Sequence, residues 1–392
     1  METLRYKWLR ISAAACLLCC SICTSQVPSQ RQTISPPPPA GDIDASSNST
    51  QSQVTKGREE LQRGTSLTRQ GRFTEAIPHL QAARADLGND YGLEFNLSLC
   101  YVGVGEYARS IRMLDELRQQ GHENADVENL LAQAYIGNGQ PNEALAAAER
   151  AAAISPKNEK LFAFVADACR DTRDFELGLQ VIDIGLRGLP QSARLHYERA
   201  VFLTELDQFD RAKHDFELAA RMGQGSDVGY TAEAHERLLE GDVPAAIRAA
   251  REGVAQGIQN PGLLLILGKA LLLSGIAPGQ PEFAEARNAL EKVASERPTD
   301  AGALIALGQL DLLSGRIDDA IARLETAQKL TPDQASIYAG LARAYQRKGD
   351  TQRAKEAITT LERLNQAQAD RIRNAPGERK NGYTGIPSAQ PK

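Results

Sequence analysis

A short pattern returns along this chain at a fixed interval. A glycine or turn residue is followed two positions later by an apolar or turn-compatible residue, and a small residue stands three beyond that. It occurs as Gly71-Phe73-Ala76, Gly105-Tyr107-Ser110, Gly139-Pro141-Ala144, Asp207-Phe209-Ala212, Gly241-Val243-Ala246, Gly315-Ile317-Ala320 and Gly349-Thr351-Ala354. Successive copies at Gly71, Gly105 and Gly139 are 34 residues apart, and Gly315 to Gly349 repeats that spacing. A period of this length accommodates one pair of helices, which cannot bury its apolar stripe alone and must stack on copies of itself. The 392 residues are therefore expected to form an array, rather than the two or three globular domains that length alone implies.

The helices can be read within a unit. In the eighth, DAGALIALGQLDLLS precedes Gly315, DDAIARLETAQKL follows it, and Pro332 comes next. Apolar residues in both segments fall at i, i+3, i+4 and i+7. Glycine after the first helix can take a positive φ, and proline after the second cannot continue it. Aromatic residues are only 5% of the chain against 42% hydrophobic, so leucine and small residues must do the packing.

Leu307-Gly308, Ala320, Leu324, Ala327 and Pro332 resemble the tetratricopeptide repeat. So do Leu131-Ala132, Tyr135, Gly139, Ala144, Ala151 and Pro156 in the third unit, and Leu341-Ala342, Tyr345, Gly349 and Ala354 in the ninth. The resemblance implies an all-α chain, a right-handed superhelical solenoid of stacked antiparallel helix pairs. Nine units are expected at 57–90, 91–124, 125–158, 159–192, 193–226, 227–260, 261–300, 301–334 and 335–368, about four fifths of the chain. The departures are specific. The early tryptophan of the family is replaced by Glu60, Glu94, Glu128, Phe162, His196 and Tyr230. Repeats five and six lack the closing proline, and repeat seven carries an insertion at Ile276–Pro281.

The same resemblance implies a concave groove lined by the first helix of each pair. Carried over by register, the groove residues are Phe95, Leu99, Val102, Gln133, Asp167, Arg170, Tyr197, Val201, His235, Leu265, Lys269, Ile305, Gln309 and Arg343. The Lys/Asn clamp for a C-terminal carboxylate is absent from the first three repeats, where Leu61, Thr65, Phe95, Leu99, Asn129 and Gln133 stand instead. A protein or peptide ligand with apolar anchors is expected. The alternative, that some of these leucines pack between neighbouring helices, stays open at this level.

The ends of the chain differ from the repeats. METLRYKWLR is net positive, ISAAACLLCCSIC is apolar, and Thr24-Ser25-Gln26 follows. This layout makes residues 1–25 a signal peptide, with an apolar run shorter than the ~20 residues of a spanning helix. Cys16, Cys19, Cys20 and Cys23 lie inside that run and act there as small hydrophobes. No small residue precedes Cys20 or Cys23, so a lipid anchor is less favoured. Residues 26–56, with Pro36 to Pro39 in a row, read as a disordered linker. Residues 369–392 read as a helix extension and a tail. Cys100 and Cys169 are two repeats apart and are expected to be free buried thiols.

Several function classes lack their residues. Net charge is −5 with no basic run, so nucleic acid is not an expected partner. Gly103-Val104-Gly105-Glu106-Tyr107-Ala108 matches a dinucleotide fingerprint, but that motif works only between a strand and a helix. The five histidines show no ligand spacing and no nucleophile signature appears. No cofactor or metal is expected. The sequence predicts a non-catalytic scaffold or adaptor, exported to the periplasm or beyond and serving a bacterial envelope or secretion assembly. The alternative is a self-associating module or one that regulates a separate enzyme.

Overall fold

A computed structural model describes residues 45–374. The proposed signal peptide, the proline run and the tail after residue 374 lie outside the described residues. Within them the chain forms eighteen helices and no strand, divided into two units at Pro190. The first helix of each pair is termed helix A and the second helix B.

Unit 1 holds four pairs: α1 (Ala45–Arg69) with α2 (Phe73–Leu87), α3 (Tyr91–Gly103) with α4 (Tyr107–Gln119), α5 (Ala125–Gly137) with α6 (Pro141–Ile154), and α7 (Glu159–Thr172) with α8 (Phe175–Gly188). Unit 2 holds five. These are α9 (Ala193–Glu205) with α10 (Phe209–Met222), α11 (Asp227–Leu239) with α12 (Val243–Ala255), α13 (Pro261–Leu273) with α14 (Pro281–Glu296), α15 (Ala301–Leu313) with α16 (Ile317–Leu330), and α17 (Ala335–Lys348) with α18 (Thr351–Asn374). The chain is all-α, and in each unit the pairs stack as a solenoid.

Local chemistry sets these boundaries. Several helices A open on side-chain caps: Asp90 accepts from the Gly92 and Leu93 amides, Asn124 from Asp126 and Val127, Ser192 from Leu195 and Asp300 from Ala303. Each such cap contributes about 1 kcal/mol. The A–B turns pass through a left-handed residue, as at Gly71 (φ 70°) and Gly315 (φ 75°). Repeats four and five place Arg173 (φ 59°) and Asp207 (φ 57°) there instead.

Packing depends on close approach at small residues. A Cβ on Gly308 in α15 would lie 2.9 Å from Cγ of Leu324 in α16, and one on Gly340 in α17 would lie 2.8 Å from Cδ1 of the same leucine. Leu324 is fully buried between its own helix A and the next. Gly103 and Gly137 leave room in the same way for the rings of Phe73 and Tyr107 from the preceding repeat.

The positions that lost tryptophan are used differently. Glu60 pairs with His79 at 2.5 Å and Glu94 with Arg84 at 2.7 Å. Glu128 accepts from Arg150 at 2.8 Å, and His196 Nδ1 meets Asp215 at 2.9 Å. Arg199 completes that group with 2.7 and 2.8 Å bonds to Asp215. Each pairing joins an A helix to a B helix. Where such a carboxylate is enclosed, as at Glu128 and Asp215, removing its partner would leave an uncompensated buried charge.

The expected bound of the linker needs correction. Helix α1 starts at Ala45, so residues 45–56 are not linker. No proline or glycine interrupts Ala45–Lys56, and Gly57 is already buried against Asp86 and Leu87 of α2. The excess length of repeat seven is divided between a longer A–B connection and the 16-residue α14. Its loop is anchored by buried Ile276 in the core with Leu271 and Phe283, and by Gln280 accepting from the Ala277 amide. Repeats five and six close without proline. Gly229 sits against the Gly223 carbonyl, which also accepts from Ser226, while Asn260 caps α13 and donates to Thr231.

Gly308→Val should overpack the Leu324 site and destabilise the protein by roughly 1–3 kcal/mol, read as a lower urea midpoint. Gly315→Ala meets open space and should cost only the left-handed backbone penalty of about 1–2 kcal/mol.

Candidate functional site

Within each unit, helices A touch one another along the array: α1 with α3, α3 with α5 and α5 with α7, then α9 with α11, α11 with α13, α13 with α15 and α15 with α17. Among helices B only α6 and α8 make comparable contact. Helices A therefore form the inner side of each stack. Residues at matching register on successive A helices make a column: Leu99, Gln133 and Asp167 in unit 1, then Val201, His235, Lys269, Gln309 and Arg343 in unit 2.

In unit 1 the predicted residues divide by role. Phe95 is half-buried, with its ring stacked on Tyr91 at 6.0 Å. Leu99 and Val102 are 3% and 2% exposed and belong to the interhelix core, not to a ligand surface. Gln133 is half-buried and donates to Asn129 at 2.7 Å, and Asn129 donates to the Leu161 carbonyl of the next A helix. Asp167 and Arg170 form a 2.8 Å ion pair on α7, and Asp171 lies one turn beyond Asp167. Desolvation, with the Asp167 charge beside it, pushes the Asp171 carboxyl up to about 7.

Unit 2 has a different floor. Tyr197, Val201, His235, Leu265, Lys269 and Gln309 are half-buried, and Arg343 is exposed. Ile305 is 5% exposed and packs with Leu312 and Leu341 in the core. It joins Leu99 and Val102 as a packing residue because the A helices approach closely enough to enclose large aliphatic side chains at those registers. Leu265 and Lys269 lie beside Gly302 of the next repeat, where a Cβ would be 3.4 Å from Leu265 Cδ2 and 3.3 Å from Lys269 Nζ.

The most perturbed group on this face is His235. Its ring stacks on Phe216 at 4.4 Å, and Tyr197 is 6.2 Å away. Nδ1 is closed off from solvent and has no hydrogen-bond partner. Burial, aided by the Lys269 charge, lowers the imidazole pKa to about 3, so the ring is neutral at pH 7. Phe216 comes from helix B, which the groove register did not include. Nothing in its spacing distinguishes it from an ordinary core residue.

Other candidate chemistry is closed. Cys100 and Cys169 are buried free thiols. Burial pushes Cys100 up to about 11 despite its contact with Thr68, and burial raises Cys169 as well. Among the described residues no cluster of three His, Cys, Asp or Glu could hold a metal ion, and no helix is long and apolar enough to cross a membrane.

Comparison with known families matches tetratricopeptide repeat models to residues 67–134, 126–158, 280–344 and 312–375. Residues 67–158 and 280–375 are tetratricopeptide repeats. A curated relative, DnaJ homolog subfamily C member 3 of Gallus gallus, is 23% identical over 299 residues, or 72% of this chain. The match spans 55% of that relative, just over half its length. Among solved structures, the Cut9–Hcn1 hetero-tetramer of the APC/C is 16% identical with a TM-score of 0.47, covering 76% of this chain and 59% of the other. The human IFIT1 dimer with m7Gppp-AAAA is 15% identical with a TM-score of 0.40, covering 82% and 94%. Tetratricopeptide repeat proteins bind protein or peptide partners, and that much holds for the class to which these repeats belong.

The imidazole has a testable signature. The unfolded chain takes up a proton near pH 6.5 and the folded one only near pH 3, so stability present above 6.5 is lost as pH falls through that window. Between pH 7.5 and 5.5 the wild type should lose of the order of 1 kcal/mol more than His235→Phe, measured by thermal unfolding at the two pH values. In native protein Cys100 and Cys169 should resist iodoacetamide and react only after denaturation, as read by mass spectrometry.

Proposed function

We propose that this protein is a non-catalytic, exported scaffold whose helix-A faces hold protein or peptide partners, in a bacterial envelope or secretion assembly. The observation that carries the reading is the unit 2 column. Val201, His235, Lys269, Gln309 and Arg343 occupy one register on five successive A helices, and each keeps some exposure. Rigid helices present them in a row, so a ligand can bind with little ordering of the receptor.

The chemistry of that row selects a ligand. Lys269 and Arg343 favour carboxylates, while Tyr197 and the neutral His235 ring offer a flat apolar patch. An acidic peptide with one aromatic or aliphatic anchor suits the face. Export is supported by the charge and apolar pattern of residues 1–25. Self-association is a second reading, favoured by Leu273 and Leu313, which are 48% and 46% exposed at matching positions of adjacent repeats.

Selection of displayed peptides on the full chain should enrich acidic sequences with one apolar anchor. Lys269→Glu with Arg343→Glu should weaken the selected peptide about 3- to 30-fold in fluorescence anisotropy, the range for two partly exposed charge contacts. Equal binding by the variant, or preferential binding of m7Gppp-AAAA, would overturn the ligand assignment. Residues 1–25 should export a reporter that is active only outside the cytoplasm. A mass that rises with concentration in sedimentation equilibrium would favour the self-associating form.

A further inference from the structure

The B helices other than the last are 13 to 16 residues long, whereas α18 has 24. Its first part packs conventionally. Ala354 and Ala357 are buried, and Ile358, Leu361 and Leu364 lean on the core shared with α15 to α17. From Asn365 to Ala369 the helix is exposed, yet it does not end in solvent alone. Gln368 Nε2 donates to Asp207 Oδ1 at 3.1 Å, and Arg371 stands 3.6 Å from Asp207 Oδ2. The contact spans 161 residues and joins the last repeat of unit 2 to its first.

Asp207 is an unusual residue for its place. It holds φ 57° in the A–B turn where Gly241, Gly275, Gly315 and Gly349 stand in the other repeats of the unit. Left-handed backbone is unfavourable for any residue with a Cβ, and aspartate is among the few that tolerate it. Strain of this kind persists when the surrounding structure over-determines it. Arg173 is left-handed at the turn of repeat four as well, but Asp207 brings a carboxylate to its turn, and that carboxylate makes a contact glycine could not make. The Asp207 side chain is only 14% exposed, while Arg371 is 68% exposed.

We propose that Asn365–Asn374 of α18 is a releasable strap that ties repeat nine to the α9–α10 turn through Asp207 and holds unit 2 at one width. The strap is weak by construction. One partly exposed ion pair and one hydrogen bond shift an equilibrium by about two- to tenfold, so the tied and released forms exchange readily. Salt screens the pair and favours release. The strap does not depend on what the inner face binds.

Hydrogen exchange on the full chain tests this, comparing wild type, Asp207→Gly, and Gln368→Ala with Arg371→Ala. Asp207→Gly removes the carboxylate and relieves the turn, so misfolding cannot account for lost protection, and circular dichroism should be unchanged. Amides of residues 366–374 should exchange about two- to tenfold faster in both variants, with α17 and the first turns of α18 unaffected. In 1 M salt the wild type should approach the variants. Small-angle scattering should show a larger maximum dimension for both variants. Identical exchange at 366–374 in the three proteins would overturn the proposal, and so would identical scattering.

Discussion

The architecture depends on the distance at which helix A can approach helix B. Where helix A carries glycine, the facing side chain of helix B enters the space that a Cβ would fill. Leu324 is held in this way from both sides, by Gly308 of its own repeat and Gly340 of the next. A leucine so enclosed loses its water-accessible surface almost completely, and each contact of this kind contributes at the scale of a fully buried aliphatic side chain, about 1.5–3 kcal/mol. Because the contact joins neighbours, it propagates the array. It also explains how so few aromatic residues suffice.

The same close approach decides which side chains remain for recognition. Large aliphatic residues on the inner registers are drawn between adjacent A helices, as with Leu99, Val102 and Ile305. Polar ones on these registers keep some exposure, as with Gln133, Asp167, Lys269 and Arg343. The two units consequently present different faces, with an Asp167–Arg170 pair on α7 of unit 1 and the cations Lys269 and Arg343 on α13 and α17 of unit 2. His235 sits between these categories. It is enclosed enough to remain neutral and is left without a partner for Nδ1.

Buried charges mark the other departure from a purely apolar stack. Glu128 is wholly enclosed yet lies between Arg150 and Arg118, and Asp311 gathers Arg287, Arg316 and Arg323. Replacing such groups with apolar residues is often neutral or stabilising in other proteins, so their value here is directional. Each defines which B helix faces which A helix, a specification that an alanine-rich surface does not supply.

Much of this was legible from the residues alone. The interval between glycines and the helical spacing of leucines pointed to an all-α array of stacked helix pairs, because these depend on contacts within one short segment. The end of the linker was not legible: Ser- and Gln-rich residues 45–56 extend α1, a continuation that depends on α2 packing against Gly57. Nor did the sequence distinguish Leu99 or Ile305, which are enclosed, from Leu265, which is half-buried, since all three fall on the helical period and differ in what the next helix brings against them. Phe216 beneath His235, and Asp207 meeting a helix 161 residues away, were decided by tertiary structure alone. Periodicity records which face of a helix turns inward, but only the packed array determines how closely its neighbours approach.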